Sequence, residues 1–135
     1  MPTVLIVDDE QHMRLLIEQA LEELEDEGVE LRTAADGEAA LDVARNDPPD
    51  LVFLDVMMPT LSGFDVCRAI REELGLAATT VVMLTARGQP YDRERALEVR
   101  ADRYLTTPFD PDELLDVARS ALGLAGRAAV RGRAP

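Results

Sequence analysis

Apolar residues along the chain fall into short solid runs, separated by longer stretches with helical spacing. Thr3 to Val7 is an apolar, β-branched run that predicts a first strand. Met13, Leu16, Ile17, Ala20, Leu21 and Leu24 then recur at intervals that place them on one face of an amphipathic helix, which Gly28 ends. Val29 to Ala34 predicts a second strand, the least apolar of the set. Asp36 is placed to cap a second helix carrying Ala40, Leu41 and Ala44, and Pro48-Pro49 stops it. Leu51 to Leu54 predicts a third strand, apolar on both faces, with Asp55 at its C-terminal end. A loop from Val56 to Ser62 leads through Gly63 to a third helix with Phe64, Cys67, Ile70 and Leu74. Thr80 to Leu84 predicts a fourth strand ending at Thr85, Asp92 to Val99 a short charged helix, and Arg103 to Thr106 a fifth strand. Asp110, Pro111 and Glu113 form a capping signal for a fifth helix that buries Leu114, Ala118, Ala121 and Leu122.

Five alternating strand–helix units without an internal repeat predict an α/β fold, a parallel sheet covered on both faces. In such sheets ligands gather beyond the C-terminal strand ends, where strand order reverses. The search for chemistry therefore narrows to those ends.

Composition sharpens the picture. The 135 residues match one domain, and 47% apolar content excludes a disordered linker. Five aromatics and no Trp make the core aliphatic. A single cysteine, Cys67, and a single histidine, His12, exclude a disulfide framework, a cysteine-built zinc site and a multi-histidine cage. Cys67 reads as a small buried helix residue, and His12 as a solvated first-turn residue. Net charge is −13, from 27 acids and 14 bases, and every base is Arg. Such acidity argues against nucleic acid as a partner of the main body and for cations or basic protein surfaces. The longest apolar runs fall far short of the about 20 residues of a membrane span, and no export signal is visible, so a cytoplasmic protein is expected. Residues 123–135 change character, to Gly, Ala, Pro and three Arg without an acid, and are expected to form a flexible basic tail after a domain over residues 1–122.

The candidate chemistry is acidic. The first strand ends in Asp8, Asp9 and Glu10, and the third in Asp55. With those strands adjacent, the carboxylates converge at one edge and raise one another's pKa, which a divalent cation relieves. All-oxygen ligands point to a hard ion, Mg²⁺, which keeps several waters and needs only two carboxylates and a backbone carbonyl. Glu10 is equally well explained by the preference for acids at a helix N-terminus. Asp55 is not, because an isolated Asp directly after Leu51-Val52-Phe53-Leu54 is costly without a partner.

The motifs LIVDDE (5–10), LVFLDVMMPTLSGFDVC (51–67), VVMLTARG (81–88) and YLTTPF (104–109) stand in an order and spacing that resembles the receiver domain of bacterial two-component response regulators, across residues 3–122. The resemblance implies a flavodoxin-like, doubly wound sheet of order 2-1-3-4-5; a member of this family is among the standard examples of that order. It implies that Asp55 is the phosphoacceptor, attacking a phosphohistidine of a sensor histidine kinase or phosphotransfer protein to give an aspartyl phosphate. Asp9, Asp55 and the backbone carbonyl of Met57 would hold Mg²⁺, with Asp8 acting through water. Thr85 matches the hydroxyl that bonds the phosphoryl group, and Tyr104 the aromatic switch that follows it inward. Their coupling would transmit phosphorylation to the surface of the fourth helix, fifth strand and fifth helix. Met57 and Arg87 match the variable positions that tune phosphoryl lifetime. Pro108 matches a proline whose preceding bond is typically cis. On this reading the chain is a signalling phosphoacceptor rather than an enzyme, relaying to an unidentified protein, with no nucleic-acid or membrane partner and with room for a homodimer.

The chain departs from the family at three places. Thr107 stands where a lysine normally pairs with the acceptor, and Thr is too short and uncharged to replace it. Arg100 stands where Gly usually follows the fourth helix, so a left-handed cap is not expected there. Arg103 replaces a common Asp of the dimer network in DNA-binding relatives, so that dimer is not carried over. With no output domain after residue 122, a single-domain regulator is expected. The competing reading is a degenerate receiver that binds partners without phosphorylation, which the missing lysine favours and the intact Asp8, Asp9, Asp55 and Thr85 oppose. A phosphohydrolase lacks a second acid two residues after Asp55, where Met57 stands, and no Gly-rich loop supports nucleotide binding. Arg93, Glu94, Arg95 and Glu98 read as a solvated helix face.

Overall fold

In a computed structural model of the chain, residues 1–86 and 90–124 are described, with backbone alone for Ala86 and Pro90 to Arg93. Five strands form one parallel sheet: β1 Thr3–Val7, β2 Glu30–Ala34, β3 Leu51–Asp55, β4 Thr80–Ala86 and β5 Arg103–Thr107. Their order is β2-β1-β3-β4-β5, the doubly wound order expected. Around it lie α1 Gln11–Ala20, α2 Glu22–Glu25, α3 Gly37–Asn46, α4 Gly63–Arg68, α5 Pro90–Glu98 and α6 Pro111–Ala121.

Strand alternation divides the core in two. Leu5, Val7, Val52, Leu54, Val81 and Met83 face α3, α4 and α5. Val4, Ile6, Leu51, Phe53, Val82 and Leu84 face α1, α2 and α6. Both faces of β1 and β3 are covered, which is why Val4 to Val7 and Leu51 to Leu54 are apolar without interruption. Asp36 caps α3 by accepting the Ala39 N–H at 2.8 Å, and Ser62 and Asp65 form a reciprocal capping box on α4. Asp110 caps α6, with Pro111 in its first turn.

Several local features depart from expectation. The first helix breaks at Leu21 and resumes as the short α2, and Gly28 (φ 90°) closes that turn. Leu16, expected in the core, is 40% exposed, because Ile17 takes the position against the sheet. The third helix ends as α-helix at Arg68 and continues as a π turn over Ala69–Glu73, which brings Arg71 inward. Arg100 does adopt a left-handed cap (φ 65°). Its N–H bonds to Leu97 and that of Ala101 to Ala96, the paired bonds of a Schellman motif. The Arg100 carbonyl then accepts from Arg71 Nε at 3.1 Å. These bonds hold a conformation that the residue type disfavours.

Among the described residues, two arginines are buried. Arg71 also donates to the carbonyls of Leu76 and Thr79 and to the Asp102 carboxylate, each at 2.7 Å, while Asp102 accepts the Val81 N–H. Arg119 on α6 pairs with Glu23 at 2.6 Å and with Glu27, tying α6 to the α2 region. Leu124 still packs on the second core face; residues 125–135 of the expected tail lie outside the described residues. Among the described residues no helix is long and apolar enough to cross a membrane.

Candidate functional site

The sheet topology brings β1 and β3 side by side, so their C-terminal ends deliver Asp8, Asp9 and Asp55 to one place. One carboxylate oxygen from each lies within 4.8 Å of the others. Asp8 is buried, Asp55 half-buried and Asp9 exposed. Asp8 is tied at three points: its N–H donates to Ala34, its Oδ1 accepts the Glu10 N–H at 2.9 Å, and its carbonyl accepts from Arg14 at 2.8 Å. Burial is the main reason its carboxyl is pushed up from the ordinary value, with Asp9 and Glu10 adding to it. Asp55 is pushed up to about 7, first by burial, then by the charge of Asp8, with Asp9 adding to it. The Met57 N–H, donating to Asp55 Oδ1 at 3.2 Å, partly opposes this.

The loop after β3 depends on one glycine. A Cβ on Gly63 would lie 2.3 Å from the Asp55 carbonyl oxygen and 2.9 Å from the Val56 Cα. Gly63 thus lets α4 start against the backbone of the acidic residue, and its N–H bonds to the Val56 carbonyl. Thr60 in the same loop is β-branched yet left-handed, with φ 69°. Met57 is 71% exposed.

Thr85 is buried near the end of β4, one residue beyond the partner of Asp55 in the register. Thr107 is half-buried at the end of β5, and its hydroxyl donates to the Thr85 carbonyl at 3.2 Å, so its polar group is turned to the backbone of β4. The bond from Thr107 to Pro108 is cis. Tyr104, half-buried, sits three residues back along β5 and packs on the α3–α4–α5 side of the core, away from the acidic edge. Arg87 lies outside the described residues. His12 is exposed, and Cys67 is buried, its thiol donating to the Val99 carbonyl and pushed up to about 11 by burial. Arg95, expected only on a solvated face, lies 4.3 Å above the Phe64 ring.

Arg14 escapes a reading by motif, and the close approach that requires Gly63 shows only in the fold. Arg14 is signalled only by a single basic residue in the first turn after the acid run. Three oxygen donors, gathered without His or Cys, fit a hard divalent cation such as Mg²⁺.

The chain matches the response regulator receiver domain family over residues 4–119. It is 44% identical over 119 residues to the "Probable transcriptional regulator ycf27" of Cyanophora paradoxa, covering 88% of this chain and 47% of that protein. It is 40% identical over 111 residues to the alkaline phosphatase synthesis transcriptional regulatory protein PhoP of Bacillus subtilis, covering 82% and 44%. The chain thus spans about half the length of these curated relatives. Among solved structures it resembles the chemotaxis protein CheY4 of Vibrio cholerae, with a TM-score of 0.79 and 34% identity over 90% of this chain and 98% of that one.

Proposed function

Because the chain belongs to the response regulator receiver domain family of two-component signal transduction, we propose that Asp55 accepts a phosphoryl group from a sensor histidine kinase or a phosphotransfer protein. The observation that carries this reading is the convergence of Asp8, Asp9 and Asp55 at the ends of β1 and β3. Asp9, Asp55 and the Met57 carbonyl would hold Mg²⁺, with Asp8 acting through water. A cation held there would supply charge neutralisation for the acceptor carboxylate and the phosphoryl group.

The chain supplies the nucleophile and its placement. The ionised Asp55 carboxylate attacks phosphorus, a P–O bond forms, the P–N bond to histidine breaks, and the imidazole leaves. The Met57 N–H fixes the Asp55 side chain through Oδ1. Thr85, beside Asp55 on the neighbouring strand, is the hydroxyl for a phosphoryl oxygen, and Tyr104 is the switch behind it. Met57 and Arg87 tune the lifetime of the adduct. The receiver unit covers residues 1–122, ahead of the basic stretch 123–135, and passes its signal in the cytoplasm by protein contact, with self-phosphorylation and slow self-dephosphorylation its only turnover.

One observation favours a second reading. The hydroxyl of Thr107 is engaged by the Thr85 carbonyl, at the position where a cation would face the acceptor. A phosphorylation-independent binding module needs no such cation.

Intact-mass measurement after incubation with Mg²⁺ and acetyl phosphate, quenched rapidly, separates the two. One added phosphoryl group in the wild-type chain, absent in Asp55→Asn and absent without Mg²⁺, supports the acceptor. An unmodified wild-type chain at every quench time would leave the binding module.

A further inference from the structure

The three carboxylates at the ends of β1 and β3 have no ion-pair partner among the described residues. Arg14, in the first half of α1, approaches this edge, and among the described contacts it bonds to none of the three side chains. Its guanidinium reaches back to the backbone carbonyl of Asp8 at 2.8 Å. That carbonyl lies at the exit of β1, between the last ladder position, Val7, and the exposed Asp9.

Three bonds converge on Asp8 from three directions. The Ala34 carbonyl at the end of β2 holds its N–H at 3.2 Å, the Glu10 N–H holds Oδ1, and Arg14 holds the carbonyl. The first is a backbone bond that any side chain at position 8 permits, and the second joins the Glu10 backbone to the Asp8 carboxylate. The third is made by the Arg14 side chain to the Asp8 carbonyl, and it is the one that holds the peptide plane between Asp8 and Asp9. The orientation of that plane sets the direction in which the Asp9 carboxylate leaves the chain. Asp9 is the exposed member of the cluster, so burial does not fix it.

We propose that Arg14 is a positioning residue for the acidic site, acting through the Asp8 carbonyl to aim Asp8 and Asp9 at the cation that Asp55 shares. The inference rests on the reading of Asp8, Asp9 and Asp55 as a cation site. It carries a distinctive sign. A guanidinium near a cation site repels the incoming cation, so on charge alone its removal tightens binding. As an orienting group its removal loosens binding.

The test is calorimetric titration of the full chain with Mg²⁺, without phosphodonor, for wild type, Arg14→Met and Arg14→Lys. Arg14→Met should weaken Mg²⁺ binding by roughly tenfold, the scale seen when an outer partner of a metal ligand is lost. Arg14→Lys, which keeps the charge and one donor, should fall between. A ¹⁵N-labelled sample without Mg²⁺ should show amide shifts at Asp9 and Glu10 in Arg14→Met that Arg14→Lys largely restores. Unchanged or tighter Mg²⁺ binding in Arg14→Met, with wild type binding normally, would overturn the role of Arg14 and leave the cation site standing. Absence of Mg²⁺ binding by the wild type would overturn the site itself, and the inference with it. If Arg14→Met does not fold, Arg14→Gln takes its place with the same two outcomes.

Discussion

Replacing Asp55 with Asn removes one of three converging negative charges while keeping the side chain's shape. The Asp55 carboxyl is raised from 3.8 to about 7, chiefly by burial and by the Asp8 charge. Its unfolded-state value is the ordinary one, so between these limits the folded chain holds a proton that the unfolded chain has released. Stability therefore falls as pH rises through this window and is flat above it. A shift of about three units at 1.36 kcal/mol each sets an upper bound of about 4 kcal/mol on the cost of an ionised Asp55. Asp55→Asn should be more stable than wild type by up to that amount at about pH 8, and by roughly 1 kcal/mol or less at about pH 4.5. Urea unfolding followed by far-UV circular dichroism, in metal-free buffer at both pH values, measures the difference. Mg²⁺ at a hundred times its dissociation constant should then stabilise wild type by about 2.7 kcal/mol and Asp55→Asn by much less. An equal gain at both pH values would refute the electrostatic origin, and a loss at high pH would refute the crowding of charge altogether.

Three further outcomes are expected. Arg71→Met should cost about 3–5 kcal/mol in urea unfolding, since it strands three carbonyls and a carboxylate, and Arg71→Lys should recover little because one ammonium cannot span the four acceptors; near-wild-type stability of either would sink this account. Thr60→Asn should gain about 1 kcal/mol by relieving a left-handed β-branched residue, read as a higher denaturation midpoint, and an unchanged midpoint would mean that the loop carries no strain. Gly63→Ala should lose about 1–3 kcal/mol and also weaken Mg²⁺ binding, because its Cβ displaces the Asp55 backbone; wild-type titration curves would contradict that displacement.

The strands and the acidic edge are legible in the sequence for a common reason. Four apolar residues in a row between turn residues fit a short strand covered on both faces, and acids directly after such runs sit at its end. Asp8, Asp9 and Asp55 follow from that logic. The break at Leu21 does not, because the apolar spacing continues through it to Leu24. Buried arginines are equally silent: nothing in the residues around Arg71 or Arg119 marks either side chain for burial. Their burial depends on partners remote in sequence, such as Arg100 and Asp102 for Arg71, or Glu23 and Glu27 for Arg119. Residue preference misleads at Arg100, where the two Schellman bonds and Arg71 outweigh the cost of a side chain at positive φ. Arg14 is invisible because its contact is with a backbone atom, and a carbonyl has no signature in the sequence.

The Arg71 bonds meet at the edge of the sheet opposite Asp55, where β4 and β5 begin. They fasten those strands and the cap of α5 as a rivet fastens the ribs of a fan. With the pivot at that end, any tilt of β4 and β5 would be largest at their tips, where Thr85 and Thr107 stand. Along the seven residues of β4, at about 3.3 Å each, the lever is roughly 20 Å, so a tilt of about three degrees carries the tip about 1 Å. With the strands fastened this way, their small angular changes would reach the size of a hydrogen bond's tolerance at the edge where the carboxylates sit.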